Sequence, residues 1–417
     1  MKIFLLPSAL LFLLYLVSTA AIAQQPTLEW AQRYNARSST NDNVVAVAVD
    51  AEGNSYVTGN SFSTSQQMVT VKYSSSGEQL WAMHFRDHSN AIALDNAGGV
   101  YVTGNSAGGE RGRGYTTIRY DAATGEEKWS RLYNGPANDY DLALAIGVEG
   151  GGVYVTGSVV SPGYSQDYAT IRYDAATGEE SWVQPYNGPA NSNNVVPEIA
   201  IDNAGGVYVT GASGEKSSSD FVTIRYAAAT GEEAWVRLYD EPASSENRAY
   251  GIAVGNGSIY VTGSSISGTT SDFATIRYEA ATGEQIWVRR FDGTSASMSD
   301  TPVAVVVDAA GNSYVTGTSQ GTLSKVTIVK YSPSGEQLWA VHFKDFTAAT
   351  AIAVDNAGGV YVTGASSSSS SFLESDNALF AMMPQQGKRH GLSSTTAPAT
   401  AMTSQQVSPS TMTGASM

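Results

Sequence analysis

The tetrapeptide YVTG occurs seven times in this chain of 417 residues and constrains its fold more than any other feature. The copies begin at Tyr56, Tyr101, Tyr154, Tyr208, Tyr260, Tyr314 and Tyr361, at spacings of 45, 53, 54, 52, 54 and 47 residues. Periods of about 50 residues with strand-like content are typical of propellers and solenoids. One unit and the way successive units stack therefore determine the architecture.

One copy, residues 199–239, shows the unit. It contains four short segments rich in β-branched and aromatic residues, IAID, VYVTG, DFVTIRY and AWVRLY, and Gly, Asn or Asp lie between them. Such segments are typical of β-strands joined by turns, and outside the N-terminus no segment has the apolar period of a helix. Four strands per unit make one propeller blade. We therefore predict an all-β fold, a β-propeller of about seven four-stranded antiparallel blades spanning residues 24–378, with an incomplete last blade.

The N-terminus and the composition point to export. Residues 1–23 are typical of a signal peptide, with Lys2, an apolar run from Ile3 to Val17 and small residues up to Ala23. The chain has no cysteine, which excludes disulfides and thiolate metal sites. Its net charge of −15 argues against a nucleic-acid partner, which would require clustered basic residues. We expect a protein of the periplasm, cell surface or extracellular space, monomeric and without a membrane span.

A tryptophan recurs once per unit. The copies are Trp30, Trp81, Trp129, Trp182, Trp235, Trp287 and Trp339. A large ring at one place in every blade is best explained by packing between neighbouring blades. We expect these tryptophans to be structural.

The strand sequences resemble a known repeat. VYVTG, then D-[YF]-x-T-I-R-Y, then a tryptophan segment ending in YNGPAN, resembles the SBBP repeat, a β-propeller repeat of exported bacterial proteins, over roughly residues 28–376. Residues 121–129 and 174–182 also resemble the tryptophan-docking motif of quinoprotein propellers. These resemblances imply the fold. Quinoprotein enzymes use vicinal cysteines, a carboxylate that contacts the cofactor and a catalytic Asp, and no position here carries those roles.

The order of strands predicts where a ligand would bind. In an up-and-down blade, the loop from the second to the third strand and the link to the next blade emerge on one face. In this chain these are the long segments, 161–166, 212–219, 264–271 and the YNGPAN links that begin at Tyr133 and Tyr186. Variable loops on a rigid scaffold usually carry recognition. We call this side the long-loop face and expect a protein or glycan ligand there.

A recurring carboxylate is the best candidate for metal chemistry. Asp50, Asp95, Glu149, Asp202, Asp308 and Asp355 end the first strand of successive blades, and Gly255 interrupts the series. Gathered at the channel mouth they would suit a cation such as calcium. The alternative is that each acid caps its own hairpin turn. We favour the turn and assign no catalytic, cofactor-binding or metal residue.

Histidine and arginine add no site. His84 and His342 are equivalent positions, occupied elsewhere by Leu, Pro or Arg, and His88 is solitary. The arginine of TIRY recurs at Arg119, Arg172, Arg225 and Arg277. Four copies of one charge favour a scaffold role.

The repeat stops after Ala378. In another reading frame, codons permitted by Leu379 to Gly387 spell Thr-Ile-Arg-Tyr-Asp-Ala-Ala-Thr-Gly, the missing third strand and its turn. We therefore interpret residues 379–417 as an out-of-frame, poorly structured tail. Trp30 to Tyr34 match a lone fourth strand, which would close the ring by completing the last blade.

The sequence favours an exported, non-catalytic propeller that acts as an interaction or surface-recognition scaffold. Two alternatives stay open. Exposed Tyr and Asn side chains of the YNGPAN links would suit a carbohydrate-binding propeller. The tryptophan-docking resemblance would suit a degenerate quinoprotein-like enzyme or an accessory to one, although no cofactor is expected.

Overall fold

The computed structural model describes residues 30, 32, 34 and 41–395, with gaps at 63–65, 107, 109–112, 138, 163–165, 189–192, 216–217, 242–245, 294–297, 322–323, 344–345, 357, 368–374 and 384–387. The expected signal peptide, residues 1–23, lies outside the described residues. Within the part that the structure describes, no helix has the length and apolar content needed to cross a membrane.

The described chain folds into 28 strands arranged in seven sheets. Each sheet consists of four consecutive antiparallel strands in sequence order, which makes it one blade. The predicted seven-bladed, all-β propeller is therefore confirmed.

The strands of blades 1 to 4 are Asn41–Val49 (β1), Ser55–Phe62 (β2), Gln66–Tyr73 (β3), Gln79–Phe85 (β4), His88–Leu94 (β5), Gly99–Asn105 (β6), Tyr115–Asp121 (β7), Glu127–Tyr133 (β8), Leu142–Glu149 (β9), Gly152–Val160 (β10), Gln166–Asp174 (β11), Glu180–Tyr186 (β12), Asn193–Ile201 (β13), Gly206–Glu215 (β14), Ser218–Ala227 (β15) and Glu233–Tyr239 (β16). Those of blades 5 to 7 are Asn247–Gly255 (β17), Ser258–Ser267 (β18), Thr270–Glu279 (β19), Gln285–Phe291 (β20), Asp300–Val307 (β21), Ser313–Ser319 (β22), Lys325–Tyr331 (β23), Gln337–Phe343 (β24), Phe346–Val354 (β25), Val360–Ser367 (β26), Ser375–Met383 (β27) and Lys388–Thr395 (β28).

Blade 2 shows why the repeat is YVTG. Thr103 is buried and its hydroxyl lies 3.2 Å from that of Thr117 on the next strand. A Cβ on Gly104 would stand 1.7 Å from the carbonyl oxygen of His88, because the first strand bulges across it. Only glycine tolerates such a close backbone approach. The threonine therefore links the two strands, and the glycine admits the bulge.

Neighbouring blades are joined by the recurring tryptophans. The indole N–H of Trp129 donates to the carbonyl of Ala175 in the next blade at 3.1 Å. Its ring also packs on Tyr101 of its own blade and Tyr173 of the next, with ring centroids 5.9 and 6.1 Å apart. Equivalent indole N–H bonds start from Trp30, Trp81, Trp182, Trp235 and Trp287. The expected structural role of the tryptophans is confirmed for these residues.

The junction between blades 7 and 1 differs from the other six. Val44, which lies opposite the YVTG glycine of blade 1, is 43% exposed. The equivalent residues of blades 2, 3, 5, 6 and 7 are buried, namely Ser89, Ala143, Ala249, Pro302 and Ala349. An apolar groove of about 250 Å³ remains on blade 1, and its walls include Val44, Val57 and Val71.

Trp30 and Tyr34 cover part of this groove. The indole N–H of Trp30 donates to the Ser75 carbonyl at 3.0 Å, the same kind of bond that Trp81, Trp129, Trp182, Trp235 and Trp287 make. Trp30 thus docks on blade 1, but the expectation that Trp30 to Tyr34 complete the last blade is wrong, because β28 is the fourth strand of that sheet. Tyr361 of blade 7 is nevertheless 37% exposed, whereas the other six YVTG tyrosines are fully buried. Trp30 therefore covers part of blade 1, and the junction between blades 7 and 1 stays open.

Blade 7 is also atypical in its outer half. Its third and fourth strands, β27 and β28, pair as backbone but carry no tyrosine or tryptophan. As a repeat unit the last blade is therefore incomplete. Residues 379–383 and 388–395 of the expected out-of-frame tail lie within these strands, and residues 396–417 lie outside the described residues.

Candidate functional site

The recurring Asp on the first strand is used by its own hairpin turn. In blade 2, Asp95 Oδ1 accepts the N–H groups of Ala97 and Gly99 at 2.8 and 2.6 Å, and Oδ2 accepts the Tyr101 hydroxyl at 2.6 Å. The same carboxylate–tyrosine bond occurs at Asp50, Asp202, Asp308 and Asp355. Gly98 takes φ 84°, which closes the turn. The structure therefore supports the turn-capping interpretation of these acids.

The two interruptions of that series also form tight turns. Glu149 is followed by Gly150 and Gly151 at φ 57° and 74°. Gly255 is followed by Asn256 and Gly257 at φ 51° and 68°. Two successive positive φ values form the hairpin turn that strand twist favours. Within the described chain, none of these acids belongs to a group close enough to share an ion.

The repeated arginines are structural, as predicted. The guanidinium of Arg119 lies over the Tyr101 ring, 5.9 Å from its centroid, and donates to the Ala176 carbonyl of the next blade at 3.3 Å. The other TIRY arginines, Arg172, Arg225 and Arg277, lie over the equivalent tyrosines.

A second set of arginines was missed by the sequence reasoning. Arg131 donates from Nε to the Gly178 carbonyl at 2.7 Å and from Nη2 to Thr177 at 2.8 Å. Arg237 and Arg289 clamp the equivalent turns of later blades. The signal was an Arg two residues after Trp, which occurs in only some blades.

The histidines do not form a catalytic arrangement. His84 Nε2 lies 2.9 Å from the Tyr34 hydroxyl, and His342 Nδ1 lies 2.8 Å from Thr327 Oγ1. Burial lowers the pKa of both His88 and His342. No metal-competent group in the described part of the chain contains a histidine.

A cleft of about 500 Å³ lies on the tight-turn face between blades 2 and 3. Its lining includes Asp95, Tyr101, Arg119 and Glu149. Three of these side chains already make the contacts described above. The cleft is therefore a by-product of the turn network.

The long-loop face contains a buried acid that the sequence reasoning missed. Asp141 precedes β9 and is 1% exposed. It accepts the N–H of Gly135 in the YNGPAN link at 2.6 Å and that of Val160 at 2.9 Å. This carboxylate therefore ties the link between blades 2 and 3 to the next blade. Asp or Asn recurs at this position, as Asp87, Asn194, Asn247 and Asp300.

The tyrosines of the YNGPAN links are packed. Tyr133 contacts Tyr115, and Tyr186 stacks on Tyr168, with ring centroids 5.6 Å apart in each pair. Tyr140, at the end of the first link, is different. It is 54% exposed, the most exposed large apolar side chain of the described residues, and the Arg113 guanidinium lies 5.3 Å from its ring centroid. Since its counterparts are Arg86, Asn193, Glu246 and Ser299, this position is not part of the repeat.

Comparisons with known proteins support the fold. Residues 65–220 match the family model described as outer membrane protein assembly factor BamB, and residues 29–64 match the SBBP beta-propeller repeat. The resemblance to the SBBP repeat and to quinoprotein-like propellers is thus confirmed. No curated protein matches the chain at a significant level.

Among solved structures, quinohemoprotein alcohol dehydrogenase ADHIIG from Pseudomonas putida HK5 is 13% identical over 89% of this chain and 70% of its own, with a TM-score of 0.58. A europium-containing methanol dehydrogenase is 11% identical over 86% of this chain and 80% of its own, with a TM-score of 0.54. The quinohemoprotein alcohol dehydrogenase of Comamonas testosteroni is 14% identical over 89% and 71%, with a TM-score of 0.53. At these identities the likeness shows the fold alone.

Proposed function

We propose that the protein is an exported, non-catalytic β-propeller that binds a protein partner of the cell envelope through its long-loop face. The proposal rests on a difference between the repeated and the unrepeated residues. The repeated Asp, Tyr, Arg and Trp side chains are occupied in turns and blade junctions. The exposed Tyr140 and Arg113 belong to unrepeated positions on the long-loop face.

The side chains of Tyr140 and Arg113 suit the binding of a protein surface. Tyrosine and arginine are enriched among the residues that dominate binding energy at interfaces. Their side chains already contact each other, so less conformational entropy is lost when a partner binds. The match of residues 65–220 to a family described as an outer membrane assembly factor supports an envelope location, as does the signal-like sequence of residues 1–23.

Site-specific photo-crosslinking in the native host tests the proposal. A photoreactive phenylalanine analogue replaces Tyr140 in one strain and Leu338 in another. Leu338 is a fair control because it is 45% exposed but lies on the outer strand β24. We expect a discrete crosslinked partner from position 140 and none from position 338. Equal patterns at both positions would contradict a binding surface at Tyr140.

Export is tested separately. Fractionation of the same cells should place the protein outside the cytoplasm, and N-terminal sequencing should begin at Gln24. A cytoplasmic protein that retains Met1 would refute the envelope location.

A carbohydrate-binding function is the second candidate. The packed Tyr133 and Tyr186 provide no open platform, so the exposed Tyr140 ring is the observation that favours it. A glycan array compared between the native chain and Tyr140→Ala separates the two functions. Saccharide binding that is lost in the variant would favour the glycan ligand over the protein partner.

A further inference from the structure

Three acidic side chains converge where blade 5 meets blade 6 on the long-loop face. Asp272 lies near the start of β19, Asp292 directly follows β20, and Asp300 begins β21. One carboxylate oxygen from each lies within 4.8 Å of the others. Asp300 is only 1% exposed. Three like charges so close together, one of them buried, are unfavourable unless a cation or a proton neutralises them.

Asp300 also has an acceptor without a donor. Its Oδ2 accepts the Gly293 N–H at 2.7 Å. Its Oδ1 is buried and, among the described residues, accepts no hydrogen bond of normal geometry. A buried acceptor left unsatisfied is destabilising, and more so when it is charged, so such a group calls for an explanation.

The equivalent acid at the junction of blades 2 and 3 shows what is missing. There the N–H of Val160 satisfies Oδ1 of Asp141. The residue in the place of Val160 is Gln320, and its N–H donates to the Ser299 carbonyl at 3.1 Å instead. The Gln320 N–H therefore does not reach Asp300 Oδ1, and at this same junction two further carboxylates lie close to Asp300.

The neighbouring junctions lack this combination. The residues equivalent to Asp272, Asp292 and Asp300, in that order, are as follows: Gly114, Asn134 and Asp141 between blades 2 and 3; Asp167, Asn187 and Asn194 between blades 3 and 4; and Asp220, Asp240 and Asn247 between blades 4 and 5. At the last of these, the buried residue is a neutral Asn whose Oδ1 accepts the Ser265 hydroxyl at 2.6 Å. Of these four junctions, only the one between blades 5 and 6 has three acids.

The local charge matches a divalent ion. Arg290 forms an ion pair with Asp272, with Nη2 and Oδ2 2.9 Å apart. Three carboxylates against one guanidinium leave a net charge of −2. The Ser319 hydroxyl lies beside the Asp300 carboxylate and supplies a neutral oxygen. All the available ligands are hard oxygens, which calcium prefers in flexible sets of six to eight completed by water.

We infer that Asp272, Asp292 and Asp300 form a calcium site that joins blade 5 to blade 6. The ion would give Asp300 Oδ1 the partner that it lacks. It would also connect a strand end, an inter-blade link and the first strand of the next blade. The competing outcome is a proton on Asp300, whose pKa is raised above its ordinary value by burial, although hydrogen bonds from Gly293 and Ser319 oppose the rise.

Calorimetric titration of the metal-free full chain with CaCl2 at pH 7, together with thermal unfolding, tests the inference. We expect one calcium ion per chain and a rise in Tm of about 3–5 °C at saturating calcium, the size expected when a ligand binds only the folded state. MgCl2 at the same ionic strength controls for screening of the acidic chain.

Variants taken from the neighbouring junctions make the test specific. Asp300→Asn copies Asn247 and Asp292→Asn copies Asn187, so the fold already accommodates both residues at these positions. Each should weaken calcium binding at least tenfold and remove the Tm rise. Asp220→Asn makes the same charge change one junction away and should retain both.

Three results would overturn the inference. They are no calcium binding by the native chain, a Tm rise that magnesium reproduces fully, and a rise that Asp292→Asn retains. If Asp300→Asn does not fold, Asp292→Asn decides alone, because Asp292 is exposed and its replacement leaves the core intact.

Discussion

Trp129 lies over Gly178 of the following blade, so close that a Cβ on that glycine would stand 2.6 Å from the indole ring. The same relationship joins Trp81 to Gly125, Trp182 to Gly231, Trp235 to Gly283, Trp287 to Gly335 and Trp30 to Gly77. Two sequence features, the tryptophan and the glycine of the next blade's turn, are thus two halves of one contact.

Gly178→Ala should destabilise the propeller more than a positive φ alone explains. The residue takes φ 69°, which costs an L-residue about 1–2 kcal/mol, and the clash with Trp129 adds about 1–3 kcal/mol. Gly205→Ala is the matched control, because Gly205 takes φ 85° with nothing within 4 Å of its Cβ position. Urea unfolding measures both. Equal losses in the two variants would show that the tryptophan contact does not constrain the glycine.

The open junction between blades 7 and 1 predicts an asymmetric response of the YVTG tyrosines. Tyr208→Ala removes a fully buried ring and should cost about 3–5 kcal/mol. Tyr361→Ala removes a partly exposed ring and should cost less than about 1 kcal/mol. Thermal unfolding of the two variants checks this difference. A loss at Tyr361 as large as that at Tyr208 would mean that blade 7 packs on blade 1 in solution.

Trp30 should contribute to the stability of the fold although it lies before the first blade. It packs on Tyr73 with ring centroids 5.9 Å apart and, with Tyr34, covers the apolar face of blade 1. Trp30→Ala should lower the free energy of unfolding by about 2–4 kcal/mol, because it leaves Val69 and Val71 uncovered. Deletion of residues 24–34 should reproduce the effect, and a deletion without consequence would contradict it.

Asp220 predicts a specific pH dependence. Burial, followed by the charge and hydrogen bond of Asp240, raises the Asp220 pKa from 3.8 to about 6. The folded state therefore binds this proton more tightly than the unfolded state does, so this contribution to stability is present at low pH and is lost as the pH rises from about 4 to 6.

Asp220→Asn should accordingly be more stable than the native chain at pH 7, and the gain should shrink towards pH 4. Tm values of both proteins across this range measure the difference. Asp240→Asn should behave similarly, since it removes the other member of the pair. A gain that is independent of pH would exclude the raised pKa as its cause.

The out-of-frame interpretation of residues 379–417 predicts a missing base in the coding sequence. Sequencing of genomic DNA across codons 370–417 should reveal the base that restores Thr-Ile-Arg-Tyr in place of residues 379–382. A chain with the frame restored should unfold at a higher temperature than this one, because its last blade regains the repeat residues. If the base is absent, residues 379–417 are encoded as printed, and the prediction is wrong.

Much of the fold could be predicted from the repeat alone. YVTG and TIRY predicted the paired second and third strands, and the glycines predicted the turns, because these contacts recur within one blade. The candidate site could not be predicted in the same way. A repeat reports what all blades share, whereas Tyr140 and Asp300 act through neighbours that only their own junctions provide.

The sequence by itself determined the all-β class, the seven blades, the antiparallel order within each blade and the structural role of tryptophan. It could do so because local pairing and turn chemistry depend on residues close together in the chain. Only the tertiary structure decided which residues meet across blades. Asp272, Asp292 and Asp300 come from three strand ends on two sheets and converge only when the sheets stack. The exposure of one face of blade 1 could not be predicted for the same reason, since burial depends on the assembled ring and not on any single blade.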